Sequence, residues 1–228
     1  MLNCRSIAGT AGLSGLGAAG RAGSADIPVH QVGPRPGKEI DALLVGRVVV
    51  LGDDADLAAV ALRLLRRESL GAVEVAYATR TATPVTRLWS LPVGQAAVTA
   101  AAVAPATAVP LVRDDVGGVL VGLGTLSPVM GTVYVDEHLV LSGPADGLEV
   151  RPDPVRGLSV TVNFPPRALG LRRGRTTTTA GRAVQTGTHA RPTTVTSDGV
   201  EYRRPMDTWI FYKHTEPLLL VGATLPTR

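Results

Sequence analysis

The sequence predicts an α/β segment followed by an all-β segment: a truncated parallel α/β unit, then an antiparallel β-sandwich-like C-terminal domain. Three observations carry this. Strand and helix patterns alternate between about residues 40 and 103, and short β-branched runs separated by turn residues fill the chain from residue 118 onward. Residues 48–65, VVVLGDDADLAAVALRLL, read as a strand, a glycine-acidic turn and a helix. Alternating elements imply βαβ units and a parallel sheet, whereas short, regularly punctuated strands imply a sandwich.

Composition permits such a fold. The chain has 228 residues, 45% hydrophobic and 18% charged, enough to bury a substantial core. Aromatics make up only 4%, so the core must rest on Val, Leu and Ala. Lys38 and Lys213 are the only lysines, and the arginine-rich, Ala/Gly/Val-rich usage looks like a GC-rich bacterial coding bias. A net charge of +4 permits contact with anionic lipid or nucleic acid without requiring it. Cys4 is the single cysteine, which excludes an intrachain disulfide framework and a multi-cysteine zinc site. No run approaches the ~18 apolar residues of a spanning helix, and residues 7–19 lack the pattern of a signal peptide. A cytoplasmic location is therefore expected.

Taken in order, residues 1–38 are Gly/Ala/Ser/Arg-rich and Pro-punctuated, and read as a flexible leader. An α/β domain is expected over 39–117 and a β-rich domain over 118–228. Val48–Leu51 has the continuous apolar character of a strand covered on both faces. Leu57, Val60, Ala61, Leu64 and Leu65 then fall on one helical face. Asp56 is the expected N-cap, with Arg63, Arg66 and Arg67 at the negative end of the dipole. Residues 73–77 and 88–91 read as strands, and Gln95 to Val103 as an Ala-rich helix. Further on, 118–122 is a strand candidate, 132–135 and 139–141 flank a hairpin turn, and 148–150 and 158–162 form a second pair. Residues 183–185, 193–196 and 209–212 continue the strands.

The unit around Gly52-Asp53-Asp54-Ala55-Asp56 resembles the GGDGT signature of the diacylglycerol kinase, sphingosine kinase and NAD kinase superfamily, where a strand leads into the signature and a helix follows. Leu91-Pro92-Val93-Gly94-Gln95-Ala96-Ala97 is similar to its P-x-G-T-x-N-D nucleotide loop, and Ser197-Asp198-Gly199-Val200-Glu201 to the DGE segment of its β domain. The match spans about residues 40–222, with the family's first βαβ unit missing. The resemblance implies ATP and Mg²⁺ as cofactors. It makes Asp54 the catalytic and metal-binding candidate, with Gly52, Asp53, Asp56, Gly94 and Gln95 at the nucleotide and Asp198 contributed by the second domain. Departures weaken that inheritance. Asp53, Ala55 and Asp56 replace two glycines and the threonine; Gln95, Ala97 and Val200 replace the threonine, asparagine and glutamate of the other motifs. Phosphate approaching close to the backbone needs glycine, and added carboxylates repel it. The expected function is a degenerate kinase-like protein binding a nucleotide or phosphorylated ligand without efficient catalysis; the alternative is an active ATP-dependent phosphotransferase on a lipid or nucleotide hydroxyl. Read without the resemblance, Asp53, Asp54 and Asp56 simply cap a helix.

Other motifs carry less. Gly15, Gly17 and Gly20 match G-x-G-x-x-G but follow no strand, and Gly33 to Lys38 is not a Walker A loop. His30, His138, His189 and His214 show no metal-ligand spacing. Residues 209–217 read as a terminal strand whose Trp209, Phe211 and Leu218 pack the core, or as a ligand rim of Lys213, His214 and Glu216. The basic stretch of Arg167, Arg172, Arg173, Arg175 and Arg182 could contact an anionic membrane peripherally. It lacks the interleaved aromatics of a nucleic-acid binder. Expected partners are a nucleotide or phosphorylated small molecule, with a homodimer as a further expectation.

Overall fold

The computed structural model describes residues 1–4, 28–165, 174–189 and 191–225. Its first half is a sheet with helices. Strands β1 (Leu2–Asn3) and β2 (His30–Gln31) pair in parallel, and β1 also runs parallel to β3 (Arg47–Leu51), with Leu2 beside Val50. The two ends of the expected leader thus lie in the sheet, and two parallel strands stand where the first βαβ unit was read as missing. Leu2 and Cys4 are apolar enough to enter the core, but two residues are too few to show a strand period. Residues 5–27, with the Gly15–Gly20 motif, lie outside the described residues.

Helix α1 (Asp54–Arg66) follows β3 and buries Leu57, Val60, Ala61 and Leu64. Its N-cap is Asp53, not Asp56: the Asp53 carboxylate accepts from the Asp56 N–H, and Asp56 accepts from the Asp53 N–H, each at 3.0 Å. A capping box satisfies two otherwise orphaned donors, so it outcompetes a cap placed three residues later. At the other end Arg63 clamps Asp41 with two bonds of 2.8 and 2.6 Å. Strand β4 (Glu74–Ala78) then pairs in parallel with β3 over its whole length.

Residues 88–91, expected as a strand, form none: helix α2 (Pro84–Leu88) ends at the first of them, and Trp89 and Ser90 follow as a turn. Thr83 and Thr86 form a second capping box, and Pro84 suits the first helical turn. The apolar run is buried differently: Trp89 ends the helix at 1% exposure. Helix α3 (Gln95–Val103) lies where it was expected, and β5 (Ala106–Val109) follows.

The second half is two antiparallel sheets. Its strands are β6 (Val112–Asp114), β7 (Val119–Leu120), β8 (Gly124–Ser127), β9 (Val129–Val135), β10 (His138–Ala145) and β11 (Gly147–Asp153). They continue with β12 (Gly157–Asn163), β13 (Thr176–Gly181), β14 (Ala183–Thr188), β15 (Thr194–Ser197), β16 (Val200–Glu201) and β17 (Thr208–Lys213). One sheet runs β10-β9-β14-β17-β6-β7 and the other β13-β12-β11-β8-β15-β16. Alternation builds their shared core: Val133 and Val135 point inward from one sheet, Leu158, Val160 and Val162 from the other. Trp209 anchors that core, edge-on to Tyr202 at 4.4 Å and to Phe211 at 5.8 Å.

Strand β6, before residue 118, pairs with β17 in a sandwich sheet. Strand β18 (Leu218–Val221) then returns to the first sheet, parallel to β4 and antiparallel to β5, giving the order β2-β1-β3-β4-β18-β5. Leu218 accordingly packs in the α/β core while Trp209 and Phe211 pack in the sandwich. No described helix is long and apolar enough to cross a membrane.

Candidate functional site

An open cleft of about 700 Å³ lies where the N-terminus of α1 meets the β15–β16 turn. It brings together Asp53, Asp54, Asp56 and Asp198, with Glu201 and Arg35 on its walls.

Asp54 opens α1 and is 6% exposed. Tyr77 on β4 donates its hydroxyl to Oδ1 at 2.8 Å, and the Val85 N–H at the start of α2 donates to Oδ2 at 3.2 Å. Burial, reinforced by the Asp54 charge, pushes the Tyr77 phenol well above its ordinary range, so it stays a donor.

Asp198 comes from the other half of the chain. It and Gly199 form the two-residue loop between β15 and β16, both at positive φ (48° and 84°), as in a type I′ turn. The buried carboxylate accepts from the N–H groups of Val121 at 2.9 Å, Gly122 at 2.8 Å and Leu123 at 3.0 Å. Burial pushes its pKa up to about 7; the three N–H groups pull it down, and the Asp54 charge pushes it further up. Gly122 separates the two carboxylates. A Cβ there would come 3.1 Å from Asp198 Oδ1, 3.3 Å from Asp54 Oδ2 and 2.7 Å from the Val85 side chain.

Asp56 closes the turn. Its Oδ2 accepts from the Asp53 N–H at 3.0 Å, and its Oδ1 from the Arg35 N–H at 2.7 Å. Burial, above all, raises its pKa. The side chain folds over Gly52, where a Cβ would run into the Asp56 carboxylate. A helix N-terminus beside a glycine turn offers N–H groups to an anion. Here the chain supplies the anion itself.

Gly52, Gly94 and Gln95 do not line the cleft. Gly52 and Gly94 both bond the end of β4: the Gly52 N–H donates to Ala78 O at 3.3 Å and the Gly94 N–H to Thr79 O at 2.7 Å. Gly94 has φ 63°, which favours glycine, and stands as N-cap of α3 without a side-chain cap. Gln95 is the exposed first residue of that helix. Among the described residues, no group of three carboxylate, imidazole or thiol side chains is close enough to hold a metal ion, and each Asp54 oxygen accepts a hydrogen bond.

Tyr77, Gly122 and Arg35 carry the geometry, and the sequence alone did not mark them as site residues. Tyr77 read only as part of a strand and Gly122 only as the end of one. Arg35 fell within the supposed leader. Lys213, His214 and Glu216 form no rim to this cleft. Arg167, Arg172 and Arg173 lie outside the described residues, while Arg175 stacks on the Phe164 ring at 4.5 Å.

This architecture, an α/β sheet joined to a two-sheet antiparallel domain, is shared with structures solved for kinases. Two solved structures from Bacillus anthracis str. Sterne share it. A diacylglycerol kinase superposes with a TM-score of 0.58 at 12% identity, covering 88% of this chain and 93% of its own. A structure assigned to the diacylglycerol kinases gives 0.62 at 11%, over 85% and 86% of the two chains. An NAD kinase from Archaeoglobus fulgidus, solved with ATP, gives 0.57 at 13%, over 87% and 85%. No protein-family model and no curated protein matches the sequence.

Proposed function

We propose that the chain uses its kinase-like fold to bind a nucleotide or phosphorylated small molecule, without efficient phosphotransfer. The observation that supports this reading is Asp56, whose carboxylate occupies the N–H groups of Asp53 and Arg35 at the turn. A phosphate entering there would meet Asp53, Asp54 and Asp56 with its donors already taken. One unit-charge pair near 4 Å costs about 4 kcal/mol at an effective dielectric of 20. Gln95, the exposed first residue of α3 whose start carries no side-chain cap, is the backbone position left to hold ATP, the nucleotide implied by the resemblance, with Gly94 shaping the turn before it. Bound ATP would supply a transferable phosphoryl group; this chain's part would be to hold it and keep Asp54 and Asp198 in place.

The test pairs a thermal-shift series in ATP and NAD, with and without Mg²⁺, with a γ-phosphate transfer assay on diacylglycerol and NAD. A bound ligand raises Tm by mass action, so a shift with background transfer is expected. Turnover in the range of about 1–100 s⁻¹ typical of kinases would overturn the reading, and so would no shift with any nucleotide.

A second reading, active ATP-dependent transfer to a lipid or nucleotide hydroxyl, draws on Asp198. A carboxylate with a pKa of about 7 facing Asp54 is tuned for a general base near neutral pH. On that reading transfer is measurable in the intact chain and lost in Asp198→Asn.

A further inference from the structure

Beside the acidic cleft lies a second one of about 660 Å³, which shares Arg35, Ala55, Val200 and Glu201 with it. Helix α1 lines it with Ala55, Ala58, Ala59 and Leu62, and Val119 and Tyr202 line it from the second half of the chain. Five cations line it. Arg63 is neutralised by its paired bonds to Asp41. Arg35, Lys38, Arg66 and Arg203 are exposed, and their side chains make no ion pair or hydrogen bond among the described residues. Glu201 is the one acid on the walls besides them. Ser197 Oγ also lines the cleft; it is buried beside Tyr202 without a well-formed hydrogen bond.

We infer that this second cleft is an anion subsite, and that it seats the phosphate of a phosphate-bearing small molecule or lipid headgroup. The inference rests on the binding function proposed above and says where the anionic end goes. Four like charges around one concavity repel one another, and a low-dielectric wall focuses their field on whatever enters. Guanidinium groups match phosphate oxygens with paired N–H bonds. The small alanines leave room for the ester carbon beside the phosphate. The shared wall at Ala55 and Glu201 leads from this subsite into the acidic cleft, so one ligand can place its phosphate among the arginines and its hydroxyl-bearing end near Asp54 and Asp198. Anion binding is thus shifted by one helix face from the turn that Asp56 blocks.

The experiment is calorimetric titration of the full chain with inorganic pyrophosphate, alongside sedimentation with vesicles of phosphatidylcholine containing phosphatidic acid. Arg66→Gln with Arg203→Gln removes two exposed charges, and Arg156→Gln, at an exposed position, is a control outside both clefts. Expected is a tenfold or greater loss of binding in the double variant, an unchanged Tm, wild-type behaviour in the control, and weakening with salt. Binding of pyrophosphate assigns the subsite to soluble phosphates; binding of the vesicles alone, lost in the same double variant, assigns it to a lipid headgroup. Failure of both probes, or equal binding by wild type and double variant, would overturn the inference. The two readings fail separately: ATP shifts with pyrophosphate binding insensitive to Arg66 and Arg203 sink the subsite alone. Arginine-dependent pyrophosphate binding without any nucleotide shift sinks the nucleotide reading alone.

Discussion

Asp54 and Asp198 face each other across Gly122, with Asp54 Oδ2 and Asp198 Oδ1 at 3.3 and 3.1 Å from the point a Cβ on that glycine would take. Each carboxylate is held by donors from its own half of the chain, so their approach depends on how the α/β sheet and the sandwich dock. Four consequences can be measured.

Asp198 makes stability fall as pH rises. Its folded pKa of about 7 lies above an unfolded value of about 4, so between the two the folded state holds the extra proton. This contribution is fully present below about pH 4 and is lost as pH rises through about 7, amounting to at most about 4 kcal/mol. Urea midpoints measured from pH 4 to 8 should decline less in Asp198→Asn than in the parent chain. Parallel curves would contradict the assignment.

Gly122→Ala should cost about 1–3 kcal/mol, as overpacking does. The added methyl would press on the Val85 side chain at 2.7 Å and on both carboxylates. Chemical denaturation reads the change directly; a neutral result would mean the two halves can separate without penalty.

Tyr77→Phe removes the hydroxyl donor to Asp54 and leaves that buried carboxylate with the Val85 N–H. Loss of about 1–3 kcal/mol is expected. The loss should shrink when Asp54→Asn is made in the same chain, which a double-mutant cycle will report.

Asp56→Ser should separate stability from binding. Losing half of the capping box costs about 1 kcal/mol, yet the turn regains free N–H groups. A lower Tm without ligand and a larger ATP-induced shift than the parent's are expected. An unchanged or smaller ATP shift would remove Asp56 as the obstacle.

Much of this fold was legible because its signals were local. Residues 48–66 announced a strand and helix through a β-branched run and the spacing of Leu57, Val60, Ala61 and Leu64. Other features were hidden by length or by distance along the chain. Leu2–Asn3 is too short for a period, and the Thr83–Thr86 capping box was outweighed by the apolar run at Leu88–Leu91. At the site, motif position picked out Asp54 and Asp198, which do converge, together with Asp53 and Asp56. It could not show that Asp56 bonds Arg35, 21 residues earlier, or that Asp198 is held by the Gly122 N–H, 76 residues earlier. Each of those contacts exists only once its own half of the chain has folded.

The placement of β18 between β4 and β5 bears on how the protein is made. During synthesis the first sheet emerges with a gap: β4 and β5 are available, but the strand that joins them follows the whole sandwich. Until residues 218–221 leave the ribosome, β4 offers an open backbone edge to any passing strand, the kind of surface that chaperones shield and aggregates exploit.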